Sequence, residues 1–360
     1  AAAPADEITA DGGNVARIGD VEYGASVIIK ILMPEEEAEE IKAIMQFWID
    51  KGVAGFRLDA AKEFYSGSPS KNIEVLNWIQ TTAASIKEDA YLVAEVWEDF
   101  SNVTNYYTSG ITSLFDFPFA NSNGKIPAVL RGAGSATTVA SYAKALAQAD
   151  SAYLASNPDY IDAPFLSNHD VGRIAGFVNR DELKMKMAGS MNIFMSGSCF
   201  IYYGEEIGML GSGNDPSKRA PFVWNEARND GTTMPPPDCE LPEEYPLGSL
   251  EIQKNDNASL WNYYRQAIAI RKALPVISHG RTTVEEALNV NCVSAQRKTW
   301  NDQECIILMN INTAAAQVDL SAYGDWVLAA SLSADGNEVV LNGSILELPA
   351  FGTAILIPNV

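Results

Sequence analysis

The spacing of apolar residues changes near residue 279, and that change divides the chain. Upstream, segments with apolar residues three and four apart alternate with short continuous apolar runs. Over residues 35–51, Ile41, Ile44, Met45, Trp48 and Ile49 share one helical face, and Gly52 supplies a C-terminal stop. A strand at 55–58 is expected next, then a helix over 73–86 with Trp78 on its apolar face, strands over 90–95 and 113–117, and a helix over 137–149. Residues 165–167 and 199–203 read as two more strands with a helix over 181–195 between them, and a last helix over 258–274 is closed by Pro275. This alternation predicts an α/β fold with a parallel (β/α) barrel. Residues 214–246 are rich in Pro, Asn, Asp and Gly and read as an irregular excursion. Beyond 279 the runs are short and alternating, at 304–309, 326–328, 338–341 and 353–357, with Asn/Gly/Asp turns between them, which predicts a small antiparallel β domain. The expected organisation is an N-terminal segment over 1–34, a catalytic barrel domain over 35–278 and a β domain over 279–360.

Charge narrows the partners. With 46 acidic against 25 basic residues the formal charge is −21, which opposes binding to nucleic acid or an anionic membrane and leaves a neutral polysaccharide unrepelled. No apolar run approaches the roughly 18 to 20 residues that span a bilayer; the run over 25–33 contains Lys30 and reads as a strand. Residues 1–10 lack the basic and apolar parts of a signal peptide, so an exported protein is expected to have lost its signal. Cys199, Cys239, Cys292 and Cys305 follow none of the usual zinc spacings, and two histidines do not sustain a His-rich metal site. Separate reduced thiols are expected, with a Cys292–Cys305 bridge between neighbouring strands as the alternative. No Gly-rich phosphate loop follows a strand, which argues against a nucleotide-dependent enzyme.

Three apolar runs end in a carboxylate: GFRLDAA over 55–61, LVAEVW over 92–97 and FLSNHD over 165–170. Buried parallel strands deliver such acids to the carboxyl end of a sheet, so Asp59, Glu95 and Asp170 are expected to converge. That set suits glycoside hydrolysis, in which one carboxylate attacks the sugar and another protonates the leaving oxygen. Arg57 lies two residues before Asp59 on the same strand face, where its charge favours an ionised Asp59; a structural Asp/Arg pair at a strand end is the plainer alternative. Glu95 sits among Leu92, Val93, Ala94, Val96 and Trp97, an apolar setting that favours its protonated form, whereas Glu98 and Asp99 read as exposed strand-end acids.

These motifs, in this order, resemble the strand-four, strand-five and strand-seven motifs of the alpha-amylase family, glycoside hydrolase family 13. The resemblance runs from about Glu35 to the end of the chain. It implies a retaining hydrolase of alpha-1,4-glucans such as starch and maltooligosaccharides, with Asp59 as nucleophile, Glu95 as general acid and base, and Asp170 binding sugar hydroxyls. His169 is implied to bond the same sugar, Lys62 to lie on the leaving-group side, and Arg57, Trp97 and Arg173 to serve substrate binding, with Tyr202, Tyr203 and Trp224 as weaker aromatic candidates. The segment DPSKRAPFVW over 215–224 is similar to one that follows strand eight in bacterial members. Where the family often has histidine after Lys62 this chain has Glu63, and Cys199 stands where proline is common.

The family's strand-three motif, an aspartate followed after a short gap by Asn-His, occurs nowhere in the sequence. The barrel is therefore expected to be incomplete on its N-terminal side, with residues 21–32 supplying a substitute strand or a homodimer covering the open edge. The inserted domain that commonly contributes calcium ligands is also absent or reduced, so no cofactor is expected and calcium less than the family implies. An alpha-glucosidase, a transglycosylase and a catalytically silent carbohydrate-binding remnant remain as alternatives, and an extracellular or cell-surface location is expected.

Overall fold

The computed structural model describes residues 35–359 together with the backbone of three short N-terminal strands, Ile8–Ala10, Asn14–Ile18 and Val27–Ile29. By internal packing it divides into two compact units, Ala1–Phe117 with Ser151–Ala163, and Pro118–Asp150 with Pro164–Val360.

In the first unit three strands form a parallel sheet in chain order, Gly55–Leu58, Tyr91–Ala94 and Ser113–Leu114. Gly55 faces Tyr91 so closely that a Cβ there would sit 1.7 Å from the Tyr91 carbonyl oxygen, so only glycine fits this register. Leu92, Val93 and Ala94 are buried, as a parallel strand covered on both faces requires. The strand expected over 113–117 stops at Leu114, and Phe115 makes a single parallel bridge to Ala163. Helix Pro69–Ile86 starts four residues before its expected limit, because Pro69 occupies the first turn, where no N–H is needed. Helix Glu35–Asp50 agrees with expectation in position, yet of its five face residues only Met45 is fully buried, and Phe47 is 54% exposed.

The expected substitute strand over 21–32 is represented by Val27–Ile29 alone, the remainder lying outside the described residues. Val27–Ile29 pairs antiparallel with Asn14–Ile18, which pairs with Ile8–Ala10; among the described strands none of the three joins the parallel sheet.

In the second unit, helix Glu182–Ile193 is buried from Met185 to its end, and Asp181 caps it by accepting from the Lys184 N–H. It packs on helix Leu260–Ala273, where Gly189 admits the Tyr264 ring; a Cβ at Gly189 would lie 2.6 Å from that ring. The strands expected at 165–167 and 199–203 belong to no sheet among the described residues, although Phe200 N donates to Pro164 O at 2.8 Å. Short apolar runs look alike in sequence whether or not a neighbour completes their ladder.

The β domain is built as expected. A five-stranded antiparallel sheet runs in the order Trp326–Ser333, Gly352–Pro358, Gln303–Asn310, Val293–Trp300 and Arg281–Val284. A three-stranded sheet has Ile345–Leu348 at its centre, and Ile306, Leu308, Leu346, Leu348, Ala354 and Leu356 share one core. Strand register excludes the alternative Cys292–Cys305 bridge. Lys298 faces Cys305 while Val293, the neighbour of Cys292, faces Asn310 at the other end of the ladder. None of the four cysteines is in a disulfide.

Candidate active site

Strand Gly55–Leu58 ends at Asp59, and Ala60 turns the chain with φ 43°, a left-handed conformation that costs a non-glycine residue roughly 1 kcal/mol. That turn lets the Ala60 N–H donate to Glu95 Oε2 at 3.1 Å, while Glu95 N donates to Leu58 O and Ala61 N to Glu95 O, both at 2.8 Å. The ends of two neighbouring strands are thereby locked together with their acids adjacent. Arg57 spans both: Nη1 donates to Asp59 Oδ1 at 2.6 Å and Nη2 to Glu95 Oε2 at 3.0 Å. Arg57 and Asp59 keep about a third of their side chains in solvent, whereas Glu95 is 7% exposed.

Burial raises the Glu95 pKa above the ordinary carboxylate range. The Ala60 N–H and the Arg57 guanidinium pull it down, the neighbouring Asp59 pushes it up, and the net shift is upward. A buried carboxyl whose protonated form is favoured thus stands beside a half-buried one paired with an arginine.

Lys62 follows in a short 3-10 turn, and its Nζ donates to Trp97 O and to Glu98 Oε1, each at 3.1 Å. It braces the segment after Glu95. Trp97 stacks on Phe117 with ring centroids 5.1 Å apart and remains 38% exposed, so a face of the indole is open to a ligand.

The second unit holds Asp170 in a different setting. Asn168 Oδ1 accepts from the Asp170 and Val171 N–H groups, the Asx turn that explains an Asn two residues before the acid. His169 Nε2 lies 3.0 Å from Asp170 Oδ2, and Arg219 Nη2 donates to Asp170 Oδ1 at 2.7 Å. Arg219 Nε also donates to His169 O at 3.2 Å, and Lys218 Nζ to Asp170 O at 2.8 Å. Both carboxylate oxygens of Asp170 are engaged, each with lone-pair capacity left for a further donor. Sequence alone assigns Lys218 and Arg219 no role beyond their place in the 215–224 segment; their bonds to the Asp170 turn supply one.

Arg173 departs from its expected part in substrate binding. It is 1% exposed, its Nη1 donates to Tyr203 O at 2.6 Å and its Nη2 to Lys218 O at 3.1 Å, and it lies over the Tyr202 and Tyr203 rings. Its guanidinium is buried and committed to backbone carbonyls.

Two further acids were missed because nothing in a single sequence separates a buried carboxyl from a surface one. Glu205 is fully enclosed, bonded by Tyr264 OH at 3.1 Å, and burial pushes its carboxyl up to about 8. Asp116, in the first unit, accepts from Tyr153 OH at 3.2 Å, and burial raises it to about 7 with Asp162 beside it.

Among the described residues no three His, Cys, Asp or Glu side chains are grouped to hold a metal ion. Nor is any described helix long and apolar enough to cross a membrane.

The chain is 33% identical over 276 residues to Alpha-amylase 3 of Dictyoglomus thermophilum, a match covering 76% of this chain and 53% of that protein. The solved structure of Eubacterium rectale Amy13B superposes with a TM-score of 0.86 at 35% identity, covering 91% of this chain and 64% of that one. An alpha-amylase from H. orenii gives 0.76 at 26% identity, covering 100% and 73%. The chain thus spans about half the length of the first of these relatives. These neighbours carry the TIM-barrel fold with a β domain, the class anticipated from the alternating pattern. A family profile described as Alpha amylase, catalytic domain, matches residues 32–280, and this chain belongs to that family.

Proposed function

We propose that the chain is a retaining glycoside hydrolase of alpha-1,4-glucans. The observation that carries the reading is the Arg57 bridge between Asp59 and Glu95: a half-buried carboxyl paired with an arginine and a buried carboxyl that burial pushes up, on adjacent strand ends. Asp59 attacks the anomeric carbon as Glu95 gives its proton to the departing glycosidic oxygen. Glu95, now a carboxylate, takes a proton from water, and the water oxygen displaces Asp59 to release the sugar with its configuration retained. Asp170 and His169 are assigned to sugar hydroxyls on the strength of their motif, and the open face of Trp97 offers a stacking surface. The related proteins named as alpha-amylases support the same substrate class.

The test is release of reducing sugar from soluble starch, followed with the polarimetric or NMR configuration of the first-formed product. Release of the α-anomer, abolished by Asp59→Asn, is the expected result. Binding of starch without turnover instead makes the chain a carbohydrate-binding remnant, and release of the β-anomer makes it an inverting enzyme.

A further inference from the structure

Arg173 is the largest fully buried side chain among the described residues, and a buried guanidinium is costly unless its surroundings are arranged for it. Here they are. The backbone passes close on both sides as glycine: a Cβ on Gly204 (φ +83°) would lie 3.1 Å from Arg173 Nη1, and one on Gly211 (φ +142°) 3.4 Å from its Cδ. Tyr202 and Tyr203 set their rings 4.8 and 4.9 Å from its central carbon. Its charge faces the carboxyls of Glu205 and Glu206, both of which it pulls down against the upward effect of burial.

From this geometry we infer that Arg173 is a positioning residue for Asp170. The inference rests on the reading of Asp170 as a sugar-binding carboxylate. The bonds form a closed circuit. Arg173 Nη2 grips Lys218 O, which the Tyr202 hydroxyl also holds at 3.2 Å. Lys218 then reaches back with its own Nζ to Asp170 O, and Arg219, next in the chain, takes Asp170 Oδ1 and His169 O. The circuit closes through Val171 and Gly172 to Arg173, whose backbone is pinned at both ends, N donating to Gly211 O at 3.3 Å and O accepting from Ser212 Oγ at 2.9 Å. The planar fork reaches Tyr203 O and Lys218 O from two nitrogens while lying flat against aromatic rings; a lysine ammonium, a compact charge on a flexible stem, has neither the flat face nor the fixed spacing. If the fork is lost, the 218–219 segment is free to shift, and with it both cations that orient the Asp170 turn.

Arg173→Lys and Lys218→Met, each made in the wild-type and in the Asp170→Asn chain, test this on maltooligosaccharides. In the wild-type background each is expected to lower kcat on the order of 10- to 100-fold with a smaller change in KM, the range in which small misplacements of a reacting group act. In the Asp170→Asn background each should add little, because there is no carboxylate left to misplace. Lys218→Met carries the test alone if Arg173→Lys fails to fold. Equal losses in both backgrounds, or unchanged kcat in the wild-type background, overturn the inference while leaving the proposed activity intact. Full turnover by Asp170→Asn itself overturns both the part given to Asp170 and the inference built on it.

Discussion

Glu95→Gln separates chemistry from structure most cleanly. The glutamine amide oxygen can still accept from the Ala60 N–H and from Arg57 Nη2, the two donors that hold Glu95 Oε2. What is lost is the charge on the acceptor, and the difference between a charge-assisted and a neutral hydrogen bond is about 1 kcal/mol. Against that loss, the variant removes a carboxylate from a site whose burial disfavours charge. Because the folded pKa is raised, wild-type stability is fully present below the unfolded carboxylate value and is partly lost as pH rises toward the folded value; the amide has no such dependence. The melting temperature near neutral pH should therefore change little.

Turnover should fall far more, since general acid–base catalysis contributes about 100- to 10,000-fold, or roughly 3 to 5 kcal/mol of barrier. Two assays check the cause. On starch, reducing-sugar release should drop by that factor with a native circular dichroism spectrum. On an aryl α-maltoside, whose leaving group needs no proton, the glycosyl enzyme should form and then stall, and azide, which needs no general base, should restore turnover as an α-glycosyl azide. More than about a tenth of wild-type activity on starch, or no response to azide, would refute the assignment of Glu95.

The remaining expectations concern burial and pH. Asp116, raised to about 7, and Glu205, raised to about 8, both bind protons more tightly folded than unfolded, so the fold should lose stability as pH rises from about 4 toward 7 and 8 respectively. Asp116→Asn and Glu205→Gln should each flatten that slope in urea titrations at pH 5 and pH 8; slopes identical to wild type would show that these carboxyls are not held as the structure describes. A thiol reagent should label Cys199 and Cys239 in the native protein and reach Cys292 and Cys305, both buried, only after unfolding, because burial also pushes the Cys305 thiol up to about 11. Fewer than four thiols in denaturant without reductant would reveal a disulfide that the strand register disallows.

The sequence alone determined which residues carry the candidate chemistry and roughly where the elements lie. Period and punctuation settled this: helix faces at three- and four-residue spacing, strand runs ending in an acid, and Gly52 and Pro275 marking boundaries. These signals are local, so one chain suffices to read them. The Asp59, Glu95 and Asp170 motifs were legible for the same reason, each fixing several neighbouring positions. Tertiary structure alone decided what those side chains touch. Arg57 pairs with Asp59 and also reaches Glu95, 38 residues further along the chain, and Asp170 is held by Lys218 and Arg219 from almost 50 residues downstream. It also buried Arg173, enclosed Asp116 and Glu205, and left 165–167 and 199–203 outside any sheet among the described residues. Burial and pairing depend on which distant segments fill the space beside a residue, and periodicity along the chain shows only which side of an element seeks a neighbour, never which neighbour arrives.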